Sequence, residues 1–164
     1  MKKAILIIFT SIFLFSTCAL EIANIIGPGG GYVFYDKGNY DNGWRYIECS
    51  SYDIGEVKDI SQSSIERAWE LCSENSGGWY RFEWELPQES DLRKILECFS
   101  YGLTRFSPDY HYLAVNRFAN YDPADPATWE AVVLHKNFDT KANGEVEKVT
   151  EFDNVIRIRP IRRF

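Results

Sequence analysis

The stretch Tyr32–Glu48 constrains the fold more than any other part of the chain. Tyr32-Val33-Phe34-Tyr35 and Trp44-Arg45-Tyr46-Ile47-Glu48 are rich in aromatic and β-branched residues, which suit a pleated, half-buried surface. Between them, Lys37-Gly38-Asn39-Tyr40-Asp41-Asn42-Gly43 reads as a turn. Its Asn42-Gly43 pair supplies the positive φ that a tight reversal needs. The spacing predicts an antiparallel hairpin at the start of the domain. A lone hairpin is marginal in water, so the rest of the chain must cover one of its faces.

Two helical patterns follow. Ser50–Ser61 is a polar loop, and Ser63 with Glu66 has the spacing of a capping box. Ile65, Ala68, Trp69 and Cys72 then recur at i, i+3, i+4 and i+7, one face of a helix that ends at Asn75–Gly78. Trp79–Leu86 reads as extended. Pro87 opens a second helix, with the stripe Leu92, Ile95, Leu96 and Phe99, and with Asp91 near its positive end. Strands are predicted over Tyr110–Val115, Trp129–His135 and Val155–Arg159. Asp122–Pro126 makes a stiff polar loop and Asp139–Gly144 a turn. Hairpin, helices, then strands is an α+β order. The last strand is expected to pair beside the first hairpin and close the antiparallel sheet, burying Ile156 and Ile158. Trp44, Trp69, Trp84 and Trp129 are expected in the core.

The 164 residues suffice for one ordinary domain, and 45% hydrophobic with 26% charged residues is a globular balance. Ahead of the domain stand Lys2-Lys3 and the uncharged run Ala4–Leu20, the pattern of an export signal. Its 17 residues fall short of the roughly 20 that a spanning helix needs. Leu14-Phe15-Ser16-Thr17-Cys18 resembles a relaxed bacterial lipobox, which makes Cys18 the expected lipidation site and membrane anchor. Ordinary cleavage after Ala19 is the alternative, giving a soluble periplasmic or secreted product. The expected organisation is signal peptide 1–18, linker 19–26 and domain 27–164. Without Lys2 and Lys3, 16 basic residues face 24 acidic ones, a net charge of −8. That balance argues against nucleic acid as a partner.

Three blocks, IGPGGGYVFYDKGNYDNGWRYIE, WELPQESDLRKIL and the ending IRIRPIRRF, resemble the domain at the C-terminus of the Legionella collagen-like adhesin, found also in spirochaete lipoproteins. The resemblance covers about residues 25–164. It implies a C-type-lectin-like fold, shared with formylglycine-generating enzymes, and an adhesive role through glycosaminoglycan binding and trimer formation. Members carry Tyr-Trp-Ser-Ser-Ser-Glu before the final strands. Here the corresponding stretch is Tyr110-His111-Tyr112-Leu113-Ala114-Val115-Asn116-Arg117.

Several residue sets could carry chemistry. Gly27-Pro28-Gly29-Gly30-Gly31 lacks both the preceding strand and the Gly-Lys-Ser/Thr of a phosphate loop, so it reads as backbone punctuation. Cys49, Cys72 and Cys98 cannot all pair; a Cys49–Cys72 bridge and no bridge both remain open. His111 and His135 lack a third ligand motif, and Asn120, Asp122 and Asp125 read as loop residues rather than calcium ligands. No metal or cofactor is expected. Arg157, Arg159, Arg162 and Arg163 form the one basic cluster, expected to pair with acidic neighbours such as Glu145, Glu147 and Glu151. Tyr110, Tyr112 and Tyr121 could form a recognition surface. The expected function is an envelope-anchored, non-catalytic binding module for a glycan or a protein. A structural or assembly protein, oligomeric or not, is the alternative, and a cysteine- or metal-dependent enzyme of the formylglycine-generating type the third reading. Ligand contact is expected between Tyr110 and Lys136, on Tyr110, His111, Asn116, Arg117, Glu130 and Lys136. Charging of His111 near neutral pH is expected to strengthen binding of an anionic partner.

Overall fold

The computed structural model describes residues 25–76, 84–99, 106–122, 124–136 and 145–164. Within them the chain is α+β. The hairpin strands are β1 (Tyr32–Asp41) and β2 (Trp44–Cys49), followed by a short β3 (Gly55–Val57). Helices α1 (Gln62–Glu74) and α2 (Glu89–Phe99) come next. Then follow β4 (His111–Arg117), a 3-10 turn (Pro126–Thr128), β5 (Trp129–Leu134), β6 (Val146–Lys148), β7 (Ile156–Ile158) and β8 (Ile161–Arg163). The strands make two open sheets, β1-β2-β8 and β3-β7-β4-β5-β6.

The hairpin forms as its residues dictate, with a tighter turn than expected. Asn42 and Gly43 both have positive φ, 48° and 84°, as a two-residue reversal requires. Residues 37–41, expected in the turn, continue β1 instead, with register shifts at Val33/Tyr35 and at Asp36/Asp41.

The C-terminal pairing departs from expectation. Ile156 and Ile158 are fully buried, but their strand β7 does not pair with the hairpin. It lies between β3 and β4, antiparallel to β3 and parallel to β4, in the register His111↔Ile156. Pro160 cannot donate a ladder hydrogen bond, and past it the chain enters the other sheet. There β8 pairs with β2 through Glu48↔Arg162. One terminal segment thus serves two sheets, and neither sheet is closed.

The middle strands carry the core. Along β4, Tyr112 and Ala114 face one apolar cluster while Leu113 and Val115 face the other. Val132 and Leu134 of β5 alternate with Ala131 and Val133 in the same way. Helix α2 and the three-stranded sheet cover the first face with Leu92, Ile95, Ile47 and Ile161. Helix α1 covers the second with Ile65, Ala68 and Cys72. Burial on both faces is why these strands read as continuous apolar runs.

Both helix starts differ from their sequence signatures. Ser61, not Ser63, caps α1: its hydroxyl accepts from the Ser64 amide, and the Asp59 carboxylate accepts from the Ser61 amide and hydroxyl. Pro87 stands ahead of α2 rather than opening it. Gln88 precedes the helix, and its amide donates to Asp91 Oδ2 at 2.9 Å.

The glycine run is backbone punctuation, as expected, and something more. Its amides enclose the carboxylate of Glu48, which is 0% exposed. Gly29 N–H donates to Glu48 Oε1 at 3.0 Å, Gly31 N–H to Oε2 at 2.9 Å, and Arg162 pairs with Oε1 at 3.2 Å. A Cβ on Gly31 would sit 2.3 Å from the Cys49 carbonyl oxygen, so that position admits no side chain. The loop is an anion cradle whose anion belongs to the chain itself.

Candidate functional site

Parallel pairing of β7 with β4, and antiparallel pairing of β4 with β5, bring three chain segments to one end of the five-stranded sheet. They are the entry to β4, the exit from β5 and the entry to β7. Together with Glu56 of β3 they line a groove of about 330 Å³. Its wall carries Asp109, Tyr110, His111, Lys136, Val155 and Arg157.

The groove holds two cations, two anions, an aromatic ring and an apolar side chain. Arg157 Nη1 pairs with Glu56 Oε2 at 2.6 Å, and its guanidinium lies 4.6 Å from the Tyr110 ring centroid. That arrangement fixes the Tyr110 ring, which is still 41% exposed. Lys136 forms no ion pair among the described residues, so its ammonium is open to a partner's acceptor. Val155, 39% exposed, adds an apolar contact.

His111 sits deeper, at 7% exposure. Its ring lies 5.6 Å from that of His135 and 5.0 Å from that of Phe152, both edge-on. The backbone N–H of Lys136 donates to His111 Nδ1 at 3.2 Å, and His111 Nε2 is buried without a partner. Burial, reinforced by the neighbouring His135 and Lys136 charges, holds its pKa below the ordinary 6.5. The charged form of His111 is therefore disfavoured, against the expectation that it charges near neutrality to recruit an anion.

The six residues expected to contact ligand thus divide. Tyr110, His111 and Lys136 meet in the groove. Asn116, Arg117 and Glu130 lie at the opposite end of β4 and β5, about 20 Å away along a seven-residue strand. Those three are engaged within the fold. Asn116 Oδ1 accepts from the Glu89 amide at 3.0 Å, and its Nδ2 donates to Glu130 Oε2 at 3.1 Å. Glu130 also pairs with Lys148 at 3.0 Å. Arg117 pairs with Glu85 and lies 5.0 Å from the Trp69 ring. Cys18, the expected lipidation site, lies outside the described residues. No family model, no curated protein and no solved structure matches the chain.

The remaining candidates are engaged within the fold or its own loops. Tyr112 is a core residue at 1% exposure, and Tyr121 packs on Trp69 at 5.7 Å, so Tyr110 alone of the three tyrosines faces the groove. Asp122 and Asp125 accept backbone amides of their own loop. Among the described residues no three His, Cys, Asp or Glu side chains are placed to hold a metal ion. Cys49, Cys72 and Cys98 are free buried thiols. Burial pushes their pKa up to about 12, about 12 and about 11 respectively, so the reactive thiolate is suppressed.

The terminal arginines do pair with acids, but with different ones from those expected. Arg157 meets Glu56, Arg159 meets Asp53, Arg162 meets Glu48, and Arg163 meets Glu85 and Asp91. Glu48, Asp53 and Glu56 come from β2, β3 and the loop between them, because β7 and β8 run beside β3 and β2; Glu85 bridges β8 at Ile161, and Asp91 lies in α2. Sequence reasoning missed Glu56, Asp109, Asn154 and Val155 as groove residues, and read Arg157 as pairing within the fold. Glu56 sits on a three-residue strand whose one apolar member, Val57, is too short a signal to lift it from a polar loop.

Proposed function

We propose that the chain is a lipid-anchored envelope protein whose domain, of C-type-lectin-like architecture, is a non-catalytic binding module, and that its groove grips a segment of a partner protein. The observation that carries this reading is the convergence of Tyr110, Lys136, Val155 and Arg157 in one concave site at the strand ends. Concave sites with a few convergent polar groups are where proteins bind ligands, and recognition sits on segments held by a rigid scaffold. The groove's two cations are offset by Glu56 and Asp109. That balance, beside exposed aromatic and apolar surface, suits a polypeptide with side chains of mixed character better than a polyanionic glycan. The suppressed thiols support a role without cysteine chemistry. Anchoring rests on Lys2-Lys3, the uncharged run and Cys18.

The full chain should be screened against panels of matrix proteins and of glycans, alongside the variants Tyr110→Ala and Lys136→Glu. The expected result is a protein ligand whose signal falls about tenfold or more in either variant, a loss of about 1.4 kcal/mol. A glycan ligand, or a protein ligand indifferent to both variants, would contradict the reading.

A further inference from the structure

Beneath the groove, His111, His135 and Phe152 form one aromatic contact, with His135 and Phe152 5.6 Å apart. The cluster joins the groove's wall to the loop after β6, which carries Phe152. Its hydrogen bonding depends on protonation. Lys136 N–H donates to His111 Nδ1, so that nitrogen must carry a lone pair and the proton of the neutral ring resides on Nε2. A second proton can go only to Nδ1. There it would confront the Lys136 N–H, donor against donor, and the bond that fixes Lys136 to β4 would be lost. Nε2 has no acceptor either, so neither nitrogen of a charged ring is supported.

The groups around the ring set the response. His135 and Lys136 face it from the end of β5, and Asp109 and Tyr110 from the entry to β4. Arg157 of β7 lines the same groove with Glu56 of β3. Glu147 of β6 lies on the far side, its Oε2 3.3 Å from His135 Nε2, an ion pair only when that ring is protonated. Glu151 and Asp153 flank Phe152.

We propose that His111 is an acid-sensitive latch on the groove: protonation breaks its bond to the Lys136 backbone, frees Lys136 from its position in the wall, and weakens ligand binding. The functional meaning rests on the groove being the binding site. The latch itself can be read without any ligand. Burial of the neutral ring places its release below pH 6.5. The direction is opposite to that expected of a surface histidine recruiting an anion.

The test uses the full chain, isotope-labelled and held in detergent, with no ligand. Protection of the Lys136 amide against hydrogen exchange is followed by NMR from about pH 8 to about pH 5, beside the His111 ring titration. Protection is expected to fall about tenfold or more, with the midpoint of the ring titration. In His111→Asn, whose Oδ1 can accept where Nδ1 did, protection should be flat across the range. Should that variant misfold, His135→Gln must keep the pH response, because the latch nitrogen is on His111. Lys136 protection that ignores the His111 titration, or an unchanged response in His111→Asn, would overturn the latch. Either result would leave the groove's binding role untouched, since no ligand is present.

Discussion

Glu48 is the residue on which most of the hairpin's surroundings converge. A carboxylate taken wholly out of water is tolerated only with hydrogen-bond donors around it, and here two backbone amides and a guanidinium supply them. Glu48→Ala should destabilise the domain by about 3 kcal/mol, since it strands two inward-facing amides and removes a buried ion pair. Glu48→Gln, which keeps one acceptor oxygen, should cost less. Chemical denaturation of the two variants checks the order, and equal stabilities would argue against the cradle. The role of Glu48 was hidden in the sequence. Alternation placed it on the face of β2 opposite Ile47, where an acid reads as solvent-exposed. Only the approach of the glycine loop, permitted at Gly31 by the absence of a side chain, encloses it. The burial of His111 was hidden for the same reason: a ring buried against His135 and Phe152 cannot be told from an exposed one by its place on a strand.

At the level of elements, local pattern reached as far as local physics does. The hairpin was legible because its turn chemistry is local, and the helices because their apolar stripes repeat at helical spacing. Ile65, Ala68, Cys72, Leu92 and Ile95 are all buried as that spacing predicts. Strand partners were not legible, because pairing is a long-range choice that short strands barely encode. Val155–Arg159 looked like one closing strand. The structure splits the terminal segment at Pro160 into β7 and β8, one for each sheet. That split sharpens the expectation for truncation. Removing the last eight residues takes away β8 and most of β7 together, with Ile158 and Ile161, both 0% exposed. Cooperative unfolding should then be lost. A truncated protein that still melts sharply near the parent temperature would contradict this topology.

For the molecule as a whole, the expected pH response and the proposed binding site share one end of the five-stranded sheet. The folded state holds the His111 pKa below its unfolded value of 6.5. Above pH 6.5 both states are neutral there and His111 contributes nothing. As pH falls below 6.5 the unfolded chain takes up the proton first, so stability declines until the folded ring titrates as well. Melting temperature should therefore drop more steeply below pH 6.5 in the parent than in His111→Asn, and parallel curves would exclude His111 as the cause. Half of the residues expected to contact ligand line the candidate groove. Tyr110, His111 and Lys136 were marked by their departure from a core-like composition. Asn116, Arg117 and Glu130 shared that character but serve to tie β4 and β5 to α2, β6 and Glu85. What separates the two sets is the length of β4, which no composition reveals. The most direct test of the groove is the affinity of the full chain for a protein ligand identified by the screen, compared between the parent and Lys136→Glu at neutral pH. A loss of about tenfold or more at unchanged melting temperature is predicted, and an affinity equal to the parent's would contradict the assignment.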